Sequence, residues 1–143
     1  MLEKITPGQT GTSMLLVGPE HTAVKVGSGV IPVLATPVMI NVIEAAALAC
    51  AEHLLPQGHQ SLGIRLDVSH IAATPVGMKV NAEAVVTKVE GRTIFFNVTC
   101  RDEKELIGEG THQRVVVNVE RFEQRVKRKT ESALVNRRSE QSP

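Results

Sequence analysis

Three side chains in this sequence carry functional groups out of keeping with their surroundings. Glu44 stands inside the run Val30 to Ala51, which is otherwise almost wholly apolar. Burying an ionised carboxylate there without partners costs several kcal/mol. Such a group must face solvent through a gap, pair with an arginine such as Arg65 or Arg114, or do chemistry as a general base or nucleophile. The residues alone leave these three open. Thr36 precedes Glu44 by eight positions; on a helix that is about two turns and about 80° around the axis, so one cleft could touch both. A Thr followed by Pro is first of all a helix cap. A helix N-terminus also offers unpaired N–H groups and a positive dipole end, which suit a carbonyl oxygen as it becomes an oxyanion. His70, at the Ser69-His70-Ile71 step that ends a β-patterned run, could move a proton, although a single histidine is more often structural than catalytic.

Other chemistries find no support in the spacing. His21, His53, His59 and His112 stand at no metal-ligand spacing with one another or with Cys50 and Cys100, so no metal site is expected. Gly27-Ser28-Gly29 is not completed by a GKS/T or GxGxxG pattern and reads as a flexible turn. A nucleophile elbow and a Cys–His pairing are absent. The two cysteines lie in apolar segments without CxxC spacing, as expected of buried free thiols in a reducing compartment.

These groups need a frame. Thr36-Pro37 opens a helix expected from Pro37 to about Leu55, apolar nearly all round and closed by Pro56-Gln57-Gly58. Such a helix must be covered by protein on most sides. Downstream the period becomes two-fold, as in Ile64, Leu66, Val68 and again Val80, Ala82, Ala84. Pro75-Val76-Gly77, Glu90-Gly91-Arg92 and the run Asp102 to Glu105 divide this region into four strands of an antiparallel meander, the last ending in Arg114 to Val119. Gly11 to Val17 and Thr22 to Val26 offer one or two more. The implied architecture is α+β, a curved antiparallel sheet wrapped around one long central helix. Residues 123–143 form a basic tail, helical or disordered, beyond a domain spanning residues 1–122.

Composition bounds the partners. A chain of 143 residues fits one domain with its own core. A net charge of +1 and the lack of Trp and Tyr make nucleic acid a poor partner. Pro32, Pro37, Asn41 and Glu44 speak against a membrane span for the apolar run. The N-terminus has no apolar run of signal-peptide length, so a cytoplasmic location is expected.

The block Val33-Leu34-Ala35-Thr36-Pro37, with Glu44 in the following helix and His70 twenty-six residues beyond it, resembles the fluoroacetyl-CoA thioesterase family of hot-dog-fold enzymes. The resemblance covers about Thr12 to Phe122. It implies the hot-dog fold, a homodimer, and hydrolysis of a short or small acyl-CoA at the dimer interface, with CoA entering only as part of the substrate. By the same resemblance Thr36, Glu44 and His70 match the catalytic trio, and Gly63 and Arg114 match pocket-lining residues. Pairing of dimers into tetramers stays open. The family's phenylalanine lid has no counterpart in Val26-Gly27-Ser28-Gly29-Val30-Ile31, so an acyl group other than fluoroacetyl is expected. A non-catalytic acyl-CoA-binding module and an enoyl-CoA hydratase are the competing readings for this fold.

Overall fold

The computed structural model describes residues 1–141. Five antiparallel strands, β1 (Thr10–Leu16), β2 (His59–His70), β3 (Lys79–Glu90), β4 (Thr93–Arg101) and β5 (Leu106–Asn118), form one sheet in the order β1-β3-β4-β5-β2. Between β1 and β2 run the one-turn helix α1 (Ala23–Val26) and the long helix α2 (Thr36–Ala51), which continues as a 3-10 turn from Glu52 to Leu54. The α+β expectation of a curled sheet around one long helix holds. By length and composition Thr36–Leu54 could cross a membrane. Here it is the core helix instead, burying Met39, Val42, Ile43, Ala46, Ala47, Cys50 and Ala51. It lies on β1 and β3 and scarcely touches β2. The alternation of β3 supplies the facing layer, Val80, Ala82, Ala84 and Val86.

The feature that matters most for function is a bulge in the β2–β5 pairing between Gly63 and Arg65. Strand side chains alternate faces, so Gly63 and His70, seven residues apart, would point to opposite sides of a regular strand. The extra residue resets the parity. Ser61 before it is buried, and Leu66 and Val68 after it pack against the core, so Gly63 and His70 both face the helix. As an edge strand β2 has no partner on its outer side among the described residues, and it exposes Leu62 and Ile64.

One expectation needs correction. Thr22 to Val26 is not a strand: Thr22 forms a single bridge to Leu34, and the chain then closes the turn of α1, ended by Gly27 at φ +88°. Val24 and Val26 give the segment β character, but it passes the sheet with nothing except Val33 and Leu34 to pair with, and local hydrogen bonds win. The basic C-terminal segment is a helix, α3 (Val119–Gln141), with no buried residue. Asn118 starts it by accepting the Arg121 N–H at 3.0 Å. Ser142 and Pro143, at the end of the expected tail, lie outside the described residues.

Candidate active site

The N-terminal end of α2 does not use Thr36 as its cap. Ala35 occupies that position, with Thr36 and Pro37 the first two helical residues. The hydroxyl is therefore released from the backbone, and Thr36 Oγ1 lies 2.7 Å from His70 Nδ1. With Thr36 donating, the neutral imidazole carries its proton on Nε2, which is buried and has no hydrogen-bond partner among the described residues. Burial pushes the His70 pKa below its ordinary value, with the Ala72 backbone acting in the opposite sense. The backbone around Thr36 leaves one donor open. Ala35 N–H bonds to His21 O, Val38 and Met39 N–H both bond to Ala35 O, and Pro37 has no N–H. Among the described residues the Thr36 N–H has no acceptor and remains available at the positive end of the helix.

Two turns further along, Glu44 is about one-third exposed and meets Arg114 through Oε2 and Nη1 at 3.3 Å. Of the readings open to the sequence, pairing with Arg114 is thus realised. Arg114 itself is buried. Its Nε donates to Ser61 Oγ at 2.8 Å, its Nη2 to Ser61 O at 3.1 Å, and its Nη1 also reaches His112 Nε2 at 3.2 Å. Ser61 in turn donates its hydroxyl and, at 3.2 Å, its N–H to the carboxylate of Glu52. His112 donates from Nδ1 to Arg65 O at 2.8 Å. Burial lowers the His112 pKa; the Arg65 carbonyl opposes that shift, Arg114 adds to it and Glu44 opposes it. Gly63 completes the pocket, since a Cβ there would stand 2.6 Å from Glu44 Oε2.

The structure brings the five residues of interest together as two groups. Thr36 and His70 line a cleft of about 320 Å³ with Ala23, Ser28 and Val33. Glu44 and Arg114 line another, of about 580 Å³, with His21, Val38, Asn41 and Leu48. Eight residues of helix separate Thr36 from Glu44 by about 12 Å along the axis. Within this chain Thr36 and Glu44 thus line separate clefts. Ser61, Glu52 and His112 were not identified from the sequence as parts of the site. One signal was present: His112 and Arg114 are two apart on a strand, hence on one face.

The chain matches the model of a family described as fluoroacetyl-CoA-specific thioesterase over residues 17–120. It is 39% identical over 98 residues to a fluoroacetyl-CoA thioesterase from Streptantibioticus cattleyicolor, spanning 68% of this chain and 70% of that one. The solved structure of a phenylalanine-to-alanine mutant of the fluoroacetyl-CoA-specific thioesterase, in complex with fluoroacetate and CoA, is 32% identical. It superposes with a TM-score of 0.78 over 82% of this chain and 99% of that one. A thioesterase superfamily member from Thermus thermophilus is 27% identical, with a TM-score of 0.86 over 92% and 97% of the two chains.

Proposed function

The chain belongs to the family of fluoroacetyl-CoA-specific thioesterases, and from that membership we propose that it hydrolyses a small acyl-CoA to the free acid and CoA, with Thr36, Glu44 and His70 as catalytic residues. The observation that carries the assignment of residues is the contrast between the two clefts. One holds a helix N-terminus with a free N–H and a Thr–His pair. The other holds a carboxylate with one oxygen on Arg114 and the other without a hydrogen bond among the described residues.

These are complementary halves of an acyl-transfer site. The Thr36 N–H suits the developing oxyanion. Glu44 Oε1 suits the proton of an attacking water, or attack on the carbonyl itself to give a mixed anhydride. His70, with its hydroxyl partner Thr36, suits relay to the departing thiolate of the proton released from water, so that the imidazole is neutral before and after the reaction. The reaction calls on no cofactor beyond the CoA carried by the substrate.

The halves are too far apart in one chain to act on one carbonyl, and this supports a homodimer. In an isologous pair, the Thr36–His70 cleft of one chain can face Glu44 of the partner subunit, and the reverse. The unpaired outer side of β2, with exposed Leu62 and Ile64, supports pairing through that strand. Cys50 and Cys100 are free and buried, and burial holds both thiol pKa values up, that of Cys100 at about 11. Inert thiols of this kind suit the cytoplasm.

Phe95, Phe96 and Phe122 are the chain's only aromatic side chains of the Phe, Tyr and Trp types, and none lines either cleft. Val30 and Ile31 stand exposed in the segment before the helix. The acyl group is therefore proposed to be small and bound without an aromatic lid, and to differ from fluoroacetyl. Release of free CoA, followed with a thiol reagent across acetyl-, fluoroacetyl-, propionyl- and benzoyl-CoA, tests this reading. Turnover of at least one member is expected, with fluoroacetyl-CoA not preferred. Measurable binding without turnover of any would make the protein an acyl-CoA-binding module instead.

A further inference from the structure

We propose that Ser61, Glu52 and His112 are positioning residues, which turn the guanidinium of Arg114 so that it holds one oxygen of Glu44 and leaves the other free. The proposal rests on the reading of Glu44 as base or nucleophile. Guanidinium and carboxylate prefer a two-bond fork when both are free to choose it. Arg114 and Glu44 do not form one: a single nitrogen, Nη1, meets a single oxygen, Oε2, at 3.3 Å. The fork edge of the guanidinium is spent elsewhere, with Nε on Ser61 Oγ and Nη2 on Ser61 O. The ion pair is thereby weakened, and what it leaves is a Glu44 Oε1 with no hydrogen bond among the described residues.

Each acceptor that turns Arg114 is itself fixed. The Ser61 hydroxyl gives its hydrogen to Glu52 Oε1, so its lone pairs are left for Arg114 Nε. The Ser61 N–H to Glu52 Oε2 makes that clamp two-pointed. His112 commits its Nδ1 proton to Arg65 O, which leaves Nε2 bare to accept from Arg114 Nη1. Phe96 stacks on the imidazole with ring centroids 6.0 Å apart, limiting its tilt. Arg114 is 4% exposed, so no bulk water offers the guanidinium alternative acceptors, and removal of one clamp sends it to the nearest carboxylate. That carboxylate is Glu44.

The test uses Ser61→Ala and Glu52→Gln in the full chain. Each is expected to lower kcat at least about 10-fold, with KM within about twofold, because the fork then closes on both oxygens of Glu44. Glu52→Gln acts from two contacts away and keeps the test alive should Ser61→Ala fold poorly. The loss is expected to vanish in an Arg114→Gln background, since these residues act through Arg114. Two folded variants with kcat within twofold of the parent, or losses that add to that of Arg114→Gln, would overturn the proposal. A readout independent of activity is the Arg114 Nε–H resonance, expected to be slow to exchange in the parent and fast in Ser61→Ala. Equal exchange in both would overturn the positional claim even if no acyl-CoA were turned over, whereas absent turnover with the protected resonance would sink only the thioesterase reading.

Discussion

Gly63→Ala isolates the geometry of the Glu44 pocket from everything else in the fold. Gly63 does not lie in the left-handed region, so adding a methyl group introduces no backbone strain and tests space alone. The new Cβ would stand 2.6 Å from Glu44 Oε2, 3.1 Å from His112 Cε1 and 3.3 Å from Arg114 Nη1. Ordinary carbon–oxygen contact needs about 3.4 Å or more, so the carboxylate must retreat by roughly 0.8 Å, because Arg114 is pinned by Ser61 and His112 and cannot give way. Displacement of a reacting group on the order of 1 Å costs about 100-fold in rate, equivalent to about 2.7 kcal/mol. The expected result is kcat down by about that factor. The melting temperature should fall by only a few degrees, since one methyl group in a half-open cleft costs about 1 kcal/mol. The assay is free-thiol release at saturating acyl-CoA beside a thermal melt. A folded Gly63→Ala enzyme with kcat within threefold of the parent would refute the placement of Glu44 at the reacting centre.

Thr36→Val removes the partner of His70 while keeping the shape, and is expected to lower kcat by about 100-fold with Thr36→Ser largely retaining activity; equal activity of all three would reduce the hydroxyl to a spectator. His70 and His112 both titrate below the ordinary histidine value of 6.5 in the folded protein. The unfolded chain therefore binds protons first as pH falls. Stability is expected to be flat above about pH 7, to decline as pH drops below 6.5, and to level off below the folded values, read as melting temperature against pH. Rising stability over that interval would contradict the buried neutral histidines. Light scattering is expected to give twice the chain mass of 15.4 kDa, and Ile64→Lys on the outer edge of β2 to give an inactive monomer. If each site draws Thr36 from one chain and Glu44 from the partner subunit, mixing inactive Thr36→Val and Glu44→Ala dimers under exchange restores about a quarter of parent activity. Exchanged mixtures that stay dead would place both groups in one chain.

The sequence was most informative where local chemistry and periodicity agree. The apolar run from Val38 onward announced α2 and, to within a residue, the end of the 3-10 turn that continues it to Leu54, and the two-fold alternation of Val80, Ala82 and Ala84 announced the face that packs on it. Glu44 was conspicuous because nothing else in that run is charged. What single-residue reasoning missed depended on distance in space. The bulge at Gly63 to Arg65 sets which face His70 joins, and it leaves no mark in a pattern of apolar and polar residues. Thr36 read as a cap because Thr before Pro normally is one, whereas the chain placed Ala35 at that position and turned the hydroxyl to His70, thirty-four residues away. Ser61, Glu52 and His112 are unremarkable in their own segments and gain meaning only once β2 and β5 pair and bring Arg114 among them.

The most direct test of the account is CoA release by the parent enzyme and by Glu44→Gln on whichever small acyl-CoA is turned over fastest. Glutamine keeps the size and removes the carboxylate, so the variant is expected to fold, to keep the parent's assembly state, and to lose turnover by at least about 100-fold. A folded Glu44→Gln enzyme releasing CoA at close to the parent rate would contradict the central claim that this carboxylate performs the hydrolysis.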